Sequence, residues 1–350
     1  MYKFYDKICA VALALTSLAL SCYISLFGAE KFASFTLDFP LFNNSAPVSA
    51  SASPKNYTIK FNATANTDSS ILENTASATS SETKTSDKKV GKITSEFISP
   101  YTANTKYNNV YLNNQCGKEI NIKTLLTSYK PLVDVTSDMP QVLIMHTHAT
   151  ENYATSTDGY YTKRDLERTS NTKNNVIGVG NEIERQLKDA GIEVLHDKTL
   201  HDSPSYSGSY NRSYATVEKL LKKYPSIKVV LDIHRDAIGS SDNLIAPVKE
   251  IKGKKAAQVM ICVGSNTGEV TYYPNWKKNL SFGLKLQQTL EVLYPGLARA
   301  LYLAEERCYN QNLCAGSIII EFGTNANTFA QAEYSAKLVA NALITLFKNG

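Results

Sequence analysis

Cysteine, net charge and long apolar segments are all scarce in this chain of 350 residues. Six cysteines are too few for a disulfide framework, and none of them shows the C-x-x-C spacing of a zinc finger or a thioredoxin-like site. The 37 basic and 32 acidic residues leave a net charge of only +5. This balance argues against a dedicated nucleic-acid-binding protein. The composition also excludes collagen, coiled-coil and multi-span membrane proteins.

One long apolar run is present near the start of the chain. Residues 8–27 carry no charge, and a helix of that length spans about 30 Å, the thickness of a bilayer core. Lys3 and Lys7 precede the run and favour a cytoplasmic N-terminus. We therefore predict a cytoplasmic segment at 1–7 and a transmembrane signal-anchor at 8–28, with the rest of the chain outside the cell membrane. A cleaved signal peptide is the alternative.

Residues 43 to about 105 are rich in Ser, Thr, Asn and Ala and have no sustained apolar period, and they make up most of the segment 29–105. Such a segment buries too little apolar surface to offset its chain entropy. It is predicted to be a flexible linker, and residues 106–350 are predicted to form the catalytic domain.

Strand and helix patterns alternate within residues 106–350. Hydrophobic residues make up 43% of the whole chain, which is enough for a substantial core. Alternating strands and helices predict an α/β fold with an open, mostly parallel sheet and helices on both faces. The predicted strands are 141–145, 192–195, 229–233, 257–263 and 317–320, and the predicted helices are 174–190, 214–224, 280–293 and 330–347.

Residues that bind metals or carry protons follow three of the apolar strands. His146, His148 and Glu151 follow the first, His234 ends the second, and Glu321 ends the third. Ligands of open parallel sheets bind beyond the carboxyl ends of the strands. A catalytic zinc site needs three nitrogen or oxygen ligands and a carboxylate that accepts a proton from water. Two histidines with Glu151 and Glu321 supply that set.

Structural roles are the alternative for each of these residues. A histidine after a strand is often only a hydrogen-bonding group, and Glu321 could be a buried carboxylate paired with Arg235. His196 and His201 are predicted to lie on the surface or on the wall of a cleft rather than to bind metal. Cys308 and Cys314 could form a disulfide outside the cell.

Three further residues are candidates for supporting roles. Asp232 lies on the same strand face as His234, so it is a candidate to orient that histidine. The Arg235 guanidinium could stabilise an oxyanion, hold a peptide carboxylate or pair with Asp236. Asn325 could fix the loop after Glu321, although its position beside Gly323 also suits a plain turn.

Four separated motifs resemble the stage II sporulation protein P family, and they occur in that family's order. They are QVLIMHTHATENY at 141–153, NNVIGVGNEIERQL at 174–187, LDIHRDA at 231–237 and YNQNLCAGSIIIEFGTNANT at 309–328. The resemblance runs from about Tyr107 to the C-terminus. It implies a fold similar to that of zinc-dependent N-acetylmuramoyl-L-alanine amidases.

The resemblance also implies an activity and partners. The family's activity is cleavage of the sugar–peptide amide of peptidoglycan and of peptide cross-links, during engulfment of the forespore. The implied partners are the stage II sporulation proteins D and M. The non-catalytic alternative is a wall-binding scaffold without metal, and a further alternative is an amidase of cell separation unrelated to sporulation.

Roles follow by position within the matching motifs. The resemblance implies that His148 and His234 bind Zn²⁺ and that Glu321 is the catalytic glutamate. The broader amidases have a further ligand, a Glu at the start of a helix, where this chain has Thr172 and Lys173. Glu151 is the substitute for it, with Glu167 and His146 in reserve. His146 is otherwise a candidate for a supporting contact.

Overall fold

The computed structural model describes residues 88–156, 158–266 and 273–349. The predicted cytoplasmic segment, the signal-anchor and most of the predicted linker lie outside these ranges. Within them, no helix is both long enough and apolar enough to cross a bilayer.

The main sheet has eight strands in the order β2-β3-β11-β10-β12-β7-β4-β6. Five of its seven pairings are parallel, but β10 runs antiparallel to β12 and β2 runs antiparallel to β3. The sheet is therefore mixed, although parallel pairs dominate as predicted. Its strands are β2 (Thr105–Tyr107), β3 (Val110–Asn114), β4 (Val142–Met145), β6 (Val194–His196), β7 (Val229–Asp236), β10 (Val259–Gly264), β11 (Leu301–Ala304) and β12 (Ser317–Thr324).

Five α-helices are described, and they cover both faces of this sheet. They are α1 (Ile122–Thr127), α2 (Val176–Asp189), α3 (Ser209–Lys223), α4 (Trp276–Leu293) and α5 (Phe329–Asn349). One face carries the large hydrophobic core, where apolar side chains of α2, α4 and α5 pack on alternate strand residues such as Leu231 and Ile320. The other face is covered by α3 through Val217, which packs with Leu143 and Val230.

The helix boundaries have local causes. The Asn175 side chain accepts hydrogen bonds from the amides of Ile177 and Gly178 and so caps the start of α2. Gly191 follows the end of α2 with a φ of +79°, the left-handed conformation in which glycine commonly ends a helix.

A second sheet corrects the predicted domain boundary. It has the order β5-β1-β8-β9, with β1 (Lys89–Glu96) between β5 (Tyr160–Thr162) and β8 (Asn243–Ile251), and with β9 (Lys254–Ala257) at the edge. The sequence placed residues 89–105 in the linker because β1 is polar and has no apolar alternation. Strand β1 is nevertheless held by its backbone, in parallel pairing with β8 and antiparallel pairing with β5. Residues 89–96, which the sequence placed in the linker, therefore form a strand of a folded sheet.

Candidate active site

Three neighbouring strands bring the predicted residues together. Strand β7 lies between β4 and β12, with His234 aligned with Glu321 and Asp232 aligned with Met145. Because paired residues of parallel strands point to the same face, His234 and Glu321 share a face. Both residues lie within their strands, since β7 continues to Asp236 and β12 to Thr324. The sequence had placed them at the strand ends.

Asp232 is buried beside His234, on the face predicted for it. Its Oδ1 accepts a hydrogen bond from the Thr147 amide at 2.8 Å and its Oδ2 accepts one from the Thr147 hydroxyl at 2.7 Å. His234 Nε2 lies 2.9 Å from Asp232 Oδ1, as an ion-pair contact rather than an aligned hydrogen bond. Burial raises the pKa of Asp232, but His234 and these hydrogen bonds outweigh it and hold the pKa below its usual value. Asp232 thus fixes one side of the His234 ring.

The other side of the His234 ring faces Glu151. His234 Nδ1 lies 3.6 Å from Glu151 Oε2, which also accepts a hydrogen bond from the Arg235 amide at 3.1 Å. Glu151 belongs to the turn after β4, where its amide donates to the His148 carbonyl at 3.1 Å. Burial lowers the pKa of His234, but the Asp232 carboxylate and then Glu151 and Glu321 outweigh it and raise the pKa to about 10. Three carboxylates thus surround one histidine.

His148 packs against His234, and one ring nitrogen of His148 has no hydrogen-bond partner. The two rings meet edge to face with centroids 5.3 Å apart. His148 Nδ1 lies 3.3 Å from the Ser209 hydroxyl, whereas Nε2 is buried and has no hydrogen-bond partner. The Tyr206 ring stacks on His148 at 4.4 Å. Burial first, and then the charge of His234, lower the pKa of His148, so its ring is neutral and able to bind a cation.

Glu321 has a buried carboxylate oxygen without a partner. Its Oε2 makes no hydrogen bond, although the residue is only 6% exposed. Burial raises the pKa of Glu321 to about 8; His234 opposes this shift, whereas Asp236 and Glu151 add to it. A buried, unpartnered carboxyl group beside His234 is costly for folding, and such groups collect at functional sites.

His146 and His148 point in different directions, although one residue separates them. His146 Nδ1 lies 3.1 Å from the Ile233 carbonyl and Nε2 lies 2.8 Å from His196 Nε2. Both ring nitrogens are therefore engaged away from His148. As a reserve ligand, His146 is disfavoured by these contacts. Glu167, the other reserve, is exposed, whereas His148 and His234 are buried.

His196, at the end of β6, and His201, in the segment after it, both have buried side chains. This corrects the predicted role on the surface or on the wall of a cleft. The His196 side chain has no exposed surface, and its Nδ1 lies 2.9 Å from Glu184 Oε2. His201 is 2% exposed and lies 3.0 Å from both the His146 carbonyl and the Thr216 hydroxyl. Both histidines therefore have internal structural contacts.

Arg235 does not pair with either of the carboxylates proposed for it. Its Nε donates to the Asn152 carbonyl at 2.9 Å. Asp236 instead forms a buried ion pair with Arg299 at 2.9 Å. The Arg235–Asp236 and Arg235–Glu321 pairs, which the sequence left open as alternatives, are not formed among the described residues, and Arg299 occupies the position beside Asp236.

Asn325 makes a hydrogen bond through its backbone amide, and the two cysteines considered for a disulfide are not bonded to each other. The Asn325 amide donates to the Asp236 carbonyl at 3.1 Å, while its buried Oδ1 has no partner. The loop after Glu321 is held mainly by Asn327, whose Oδ1 accepts from the Thr324 amide at 2.9 Å.

Cys308 and Cys314 are both free thiols, so the disulfide considered from sequence is not formed.

Arg168 and Tyr206 form a layer over His148 that no sequence motif indicates. The Arg168 guanidinium stacks 4.6 Å over Tyr206, on whose ring His148 also stacks. Arg168 is held by Asp202 at 2.5 Å and lies 3.8 Å from Glu151. No sequence motif marks these residues, because they meet only through loops that are distant along the chain.

The side chains at this site are of the types that bind zinc, but they are not already grouped as a preformed metal site. Two histidines and a glutamate are a common zinc ligand set, and the unpartnered Nε2 of His148 is an available donor. The contacts of Asp232 with His234 and of Ser209 with His148 resemble the outer hydrogen bonds of zinc ligands. Across the described ranges, no three His, Cys, Asp or Glu side chains are already grouped closely enough to hold an ion.

Comparison with known sequences now places the chain. The family model described as stage II sporulation protein P matches residues 35–344. The chain belongs to the stage II sporulation protein P family. A curated family member from Bacillus subtilis strain 168 is 27% identical over 227 residues, covering 62% of this chain and 53% of that protein. The aligned part therefore spans about half the length of that relative.

Solved structures give only a distant likeness. The CwlD amidase of Clostridioides difficile, solved in complex with the GerS lipoprotein, is 12% identical with a TM-score of 0.38, over 59% of this chain and 96% of that one. The N-acetylmuramyl-L-alanine amidase Ami1 of Mycobacterium smegmatis is 10% identical with a TM-score of 0.37, over 61% of this chain and 100% of that one. At these values the likeness carries no argument about the site, and the amidase-like fold stays a prediction.

Proposed function

We propose that this member of the stage II sporulation protein P family is a zinc-dependent peptidoglycan hydrolase. It cleaves the N-acetylmuramoyl-L-alanine amide and peptide cross-links. The observation that carries the proposal is the grouping of Glu151, His148 and Glu321 around His234, with His148 Nε2 and Glu321 Oε2 both buried and unpartnered.

Each side chain has a distinct task in this proposal. His148, His234 and Glu151 hold Zn²⁺, which supplies Lewis-acid polarisation of the scissile carbonyl. Glu321 Oε2 accepts a proton from the attacking water and returns it to the nitrogen of the leaving amine. Asp232 holds His234 by its Nε2 side, while Ser209 contacts Nδ1 of His148. The Tyr206 ring covers His148 and limits the access of bulk water to it.

The setting of the reaction is part of the same proposal. The uncharged run at 8–27 anchors the chain in the cell membrane, with the hydrolase on the extracytoplasmic side between forespore and mother cell. The reaction serves forespore engulfment, together with the stage II sporulation proteins D and M. The family match supports this setting.

The test is mass spectrometry of purified peptidoglycan digested by the full chain, with and without a zinc chelator. We expect free stem peptides and unsubstituted glycan strands that disappear with chelator and return with added zinc. Loss of cross-linked dimers in the same digest indicates endopeptidase activity. A chain that releases nothing, even from glycan strands already cut by a transglycosylase, is a scaffold and not a hydrolase.

The Glu321→Gln variant tests the proton transfer. The amide cannot accept a proton, so we expect turnover to fall by about 10²–10⁴-fold while the zinc content stays equal to that of the wild type. The matched control is Glu305→Gln, because Glu305 is exposed and distant in sequence from the site residues. A Glu321→Gln variant that hydrolyses peptidoglycan at the control rate contradicts the assigned role.

A further inference from the structure

The turn after β4 carries two of the candidate zinc ligands, His148 and Glu151, and it is held by residues from other loops. Within the turn, the Glu151 amide donates to the His148 carbonyl at 3.1 Å. The amide and the hydroxyl of Thr150 both donate to Asp202 Oδ2, at 3.2 and 2.7 Å. The Thr150 carbonyl accepts a hydrogen bond from the Thr169 amide at 2.9 Å. Each polar group of Thr150 is therefore bonded to a residue outside the turn.

Asp202 is a buried charge, and Arg168 compensates it. The Asp202 side chain has no exposed surface, and its Oδ2 lies 2.5 Å from Arg168 Nη1. A buried carboxylate is costly unless a cation and hydrogen-bond donors surround it, and here Arg168 and Thr150 supply both. The Arg168 side chain is 33% exposed, but its guanidinium is fixed by this buried partner.

The fixed guanidinium contacts one candidate ligand directly and the other through an aromatic ring. Arg168 Nη2 lies 3.8 Å from Glu151 Oε1, while the other oxygen, Oε2, faces His234 at 3.6 Å. The guanidinium carbon also lies 4.6 Å from the centre of the Tyr206 ring. Tyr206 in turn stacks on His148, with ring centroids 4.4 Å apart and ring planes 14° apart. One arginine thus connects His148 and Glu151.

Two contacts restrict the His148 ring in different ways. The nearly parallel Tyr206 ring restricts the tilt of the imidazole plane. The Ser209 hydroxyl, 3.3 Å from Nδ1, restricts rotation of the ring within that plane. A metal ion binds a histidine nitrogen in the plane of the ring, so these two contacts set the direction in which the unpartnered Nε2 can bind.

We propose that Asp202, Arg168 and Tyr206 are positioning residues that hold His148 and Glu151 in the geometry that binds zinc. The inference rests on the proposed function, because the zinc site that it concerns is the one proposed there. Asp202 fixes the turn and Arg168, Arg168 orients Glu151, and Tyr206 orients His148. Because Asp202 offsets the charge of Arg168, this group orients the ligands without adding a net positive charge beside the metal ion.

The test is the affinity of the full chain for Zn²⁺, measured by competition with a chromophoric chelator, together with the visible absorption of the Co²⁺-substituted protein. Residues that orient metal ligands typically contribute about 10–100-fold to metal affinity. We expect Tyr206→Ala and Arg168→Lys to weaken zinc binding by about this factor and to change the Co²⁺ spectrum, which reports ligand geometry. Lysine keeps the charge but lacks the planar group that both stacks and pairs. Tyr206→Phe keeps the stacked ring and should bind zinc about as tightly as the wild type.

Tyr160→Ala is the matched control. Tyr160 is 40% exposed, compared with 44% for Tyr206, and Lys89 Nζ lies 4.0 Å over its ring. Tyr160 belongs to the second sheet, so its removal should leave the zinc affinity and the Co²⁺ spectrum unchanged. The Tm of each metal-free variant is measured in parallel. Tyr206→Ala removes a partly exposed side chain, so we expect this variant to stay folded without metal.

Zinc affinities and Co²⁺ spectra of Tyr206→Ala and Arg168→Lys that equal those of Tyr160→Ala overturn the positioning role. A loss of affinity that occurs only where the metal-free chain has unfolded overturns it as well. The peptidoglycan digest separates this inference from the proposed function. Unchanged variants of a wild-type chain that binds zinc and cuts peptidoglycan refute the positioning role alone. Variants that lose zinc affinity in a chain that cuts nothing refute only the hydrolase, and a wild-type chain that binds no zinc refutes both.

Discussion

A row of buried polar residues joins the elements beneath the candidate site. Glu184 on α2 contacts His196 on β6 at 2.9 Å, His196 contacts His146 at 2.8 Å, and His146 contacts the Ile233 carbonyl at 3.1 Å. Ile233 directly precedes His234. These contacts fix the backbone that carries His234 without using the ring of His148. His196 has to stay neutral in this row, because its side chain is buried and burying a charge costs free energy.

The neutrality of His196 predicts a pH-dependent stability. Burial lowers the pKa of His196 to about 4, although Glu184 opposes the shift. The unfolded chain, with an ordinary histidine pKa of about 6.5, binds the proton more readily than the folded chain. The stability that the neutral ring contributes is therefore complete above about pH 6.5 and is lost as the pH falls toward about 4.

The measurement is the free energy of unfolding in denaturant, for the wild type and for His196→Gln, between pH 4.5 and 8.5. The difference between the two proteins should be constant above about pH 7 and should shrink below it, by at most about 1.4 kcal/mol per pH unit for one proton. The range above pH 7 is the internal control. A difference that does not change with pH refutes a neutral, buried His196.

At the scale of helices and strands, apolar pattern predicted the buried elements well. Strands β4 and β12 and helices α2 and α5 were predicted to within a few residues, because each places several consecutive or periodic apolar side chains in the main core. Strands β1 and β5 were missed, since their side chains are mostly polar or exposed and their support is backbone pairing. The antiparallel direction of β10 depends on long-range pairing that periodicity does not report.

Gly180 of α2 lies close to the rings of His146 and His196, which predicts how a methyl group at this position changes stability. A Cβ on Gly180 would lie 2.9 Å from His146 Cε1 and from His196 Nε2. Helix propensity alone predicts that Gly180→Ala stabilises the protein by about 1 kcal/mol. We expect the steric effect to prevail, with a net loss of about 1–3 kcal/mol in the free energy of unfolding.

Thermal and denaturant unfolding of three variants separates the two effects. His196→Ala removes one of the two rings, so the cost of Gly180→Ala should be smaller in that background than in the wild type. The comparison of Gly180→Ala, His196→Ala and the double variant gives the coupling directly. Stabilisation by Gly180→Ala in the wild type would show that the helix and the rings are not in tight contact.

At the scale of the whole molecule, the sequence predicted which residues gather but not what surrounds them. His148, His234 and Glu321 could be placed together because each follows or ends an apolar strand of one parallel set. The partners of Arg235 and Asp236 could not be predicted, because Arg299 and Asn152 reach them from segments far away in the chain. The burial of His196 and His201 has the same origin, since both contact His146, which is distant from them in the chain.

The second sheet depends on strand β1, which a chain starting at residue 106 lacks. Strand β1 lies between β5 and β8, and Ile93 packs against the cluster of Tyr161, Leu244 and Ala246. The Ile98 amide and carbonyl are both bound by the Gln258 side chain, at 2.7 and 3.0 Å. A chain that starts at residue 106 lacks all of these contacts, leaves two strand edges unpaired and exposes that cluster to water.

We expect a chain of residues 106–350 to be much less stable than one of residues 88–350. The loss of Ile93 burial and of the Gln258 hydrogen bonds costs about 3 kcal/mol, which corresponds to about 6–12 °C in Tm for a domain of this size. Circular dichroism melts of the two chains test this, and Ile93→Ala in residues 88–350 should give an intermediate Tm. Equal melting of the two truncated chains would mean that β1 only rests on the domain. A large difference would make β1 part of the unit that positions Tyr161.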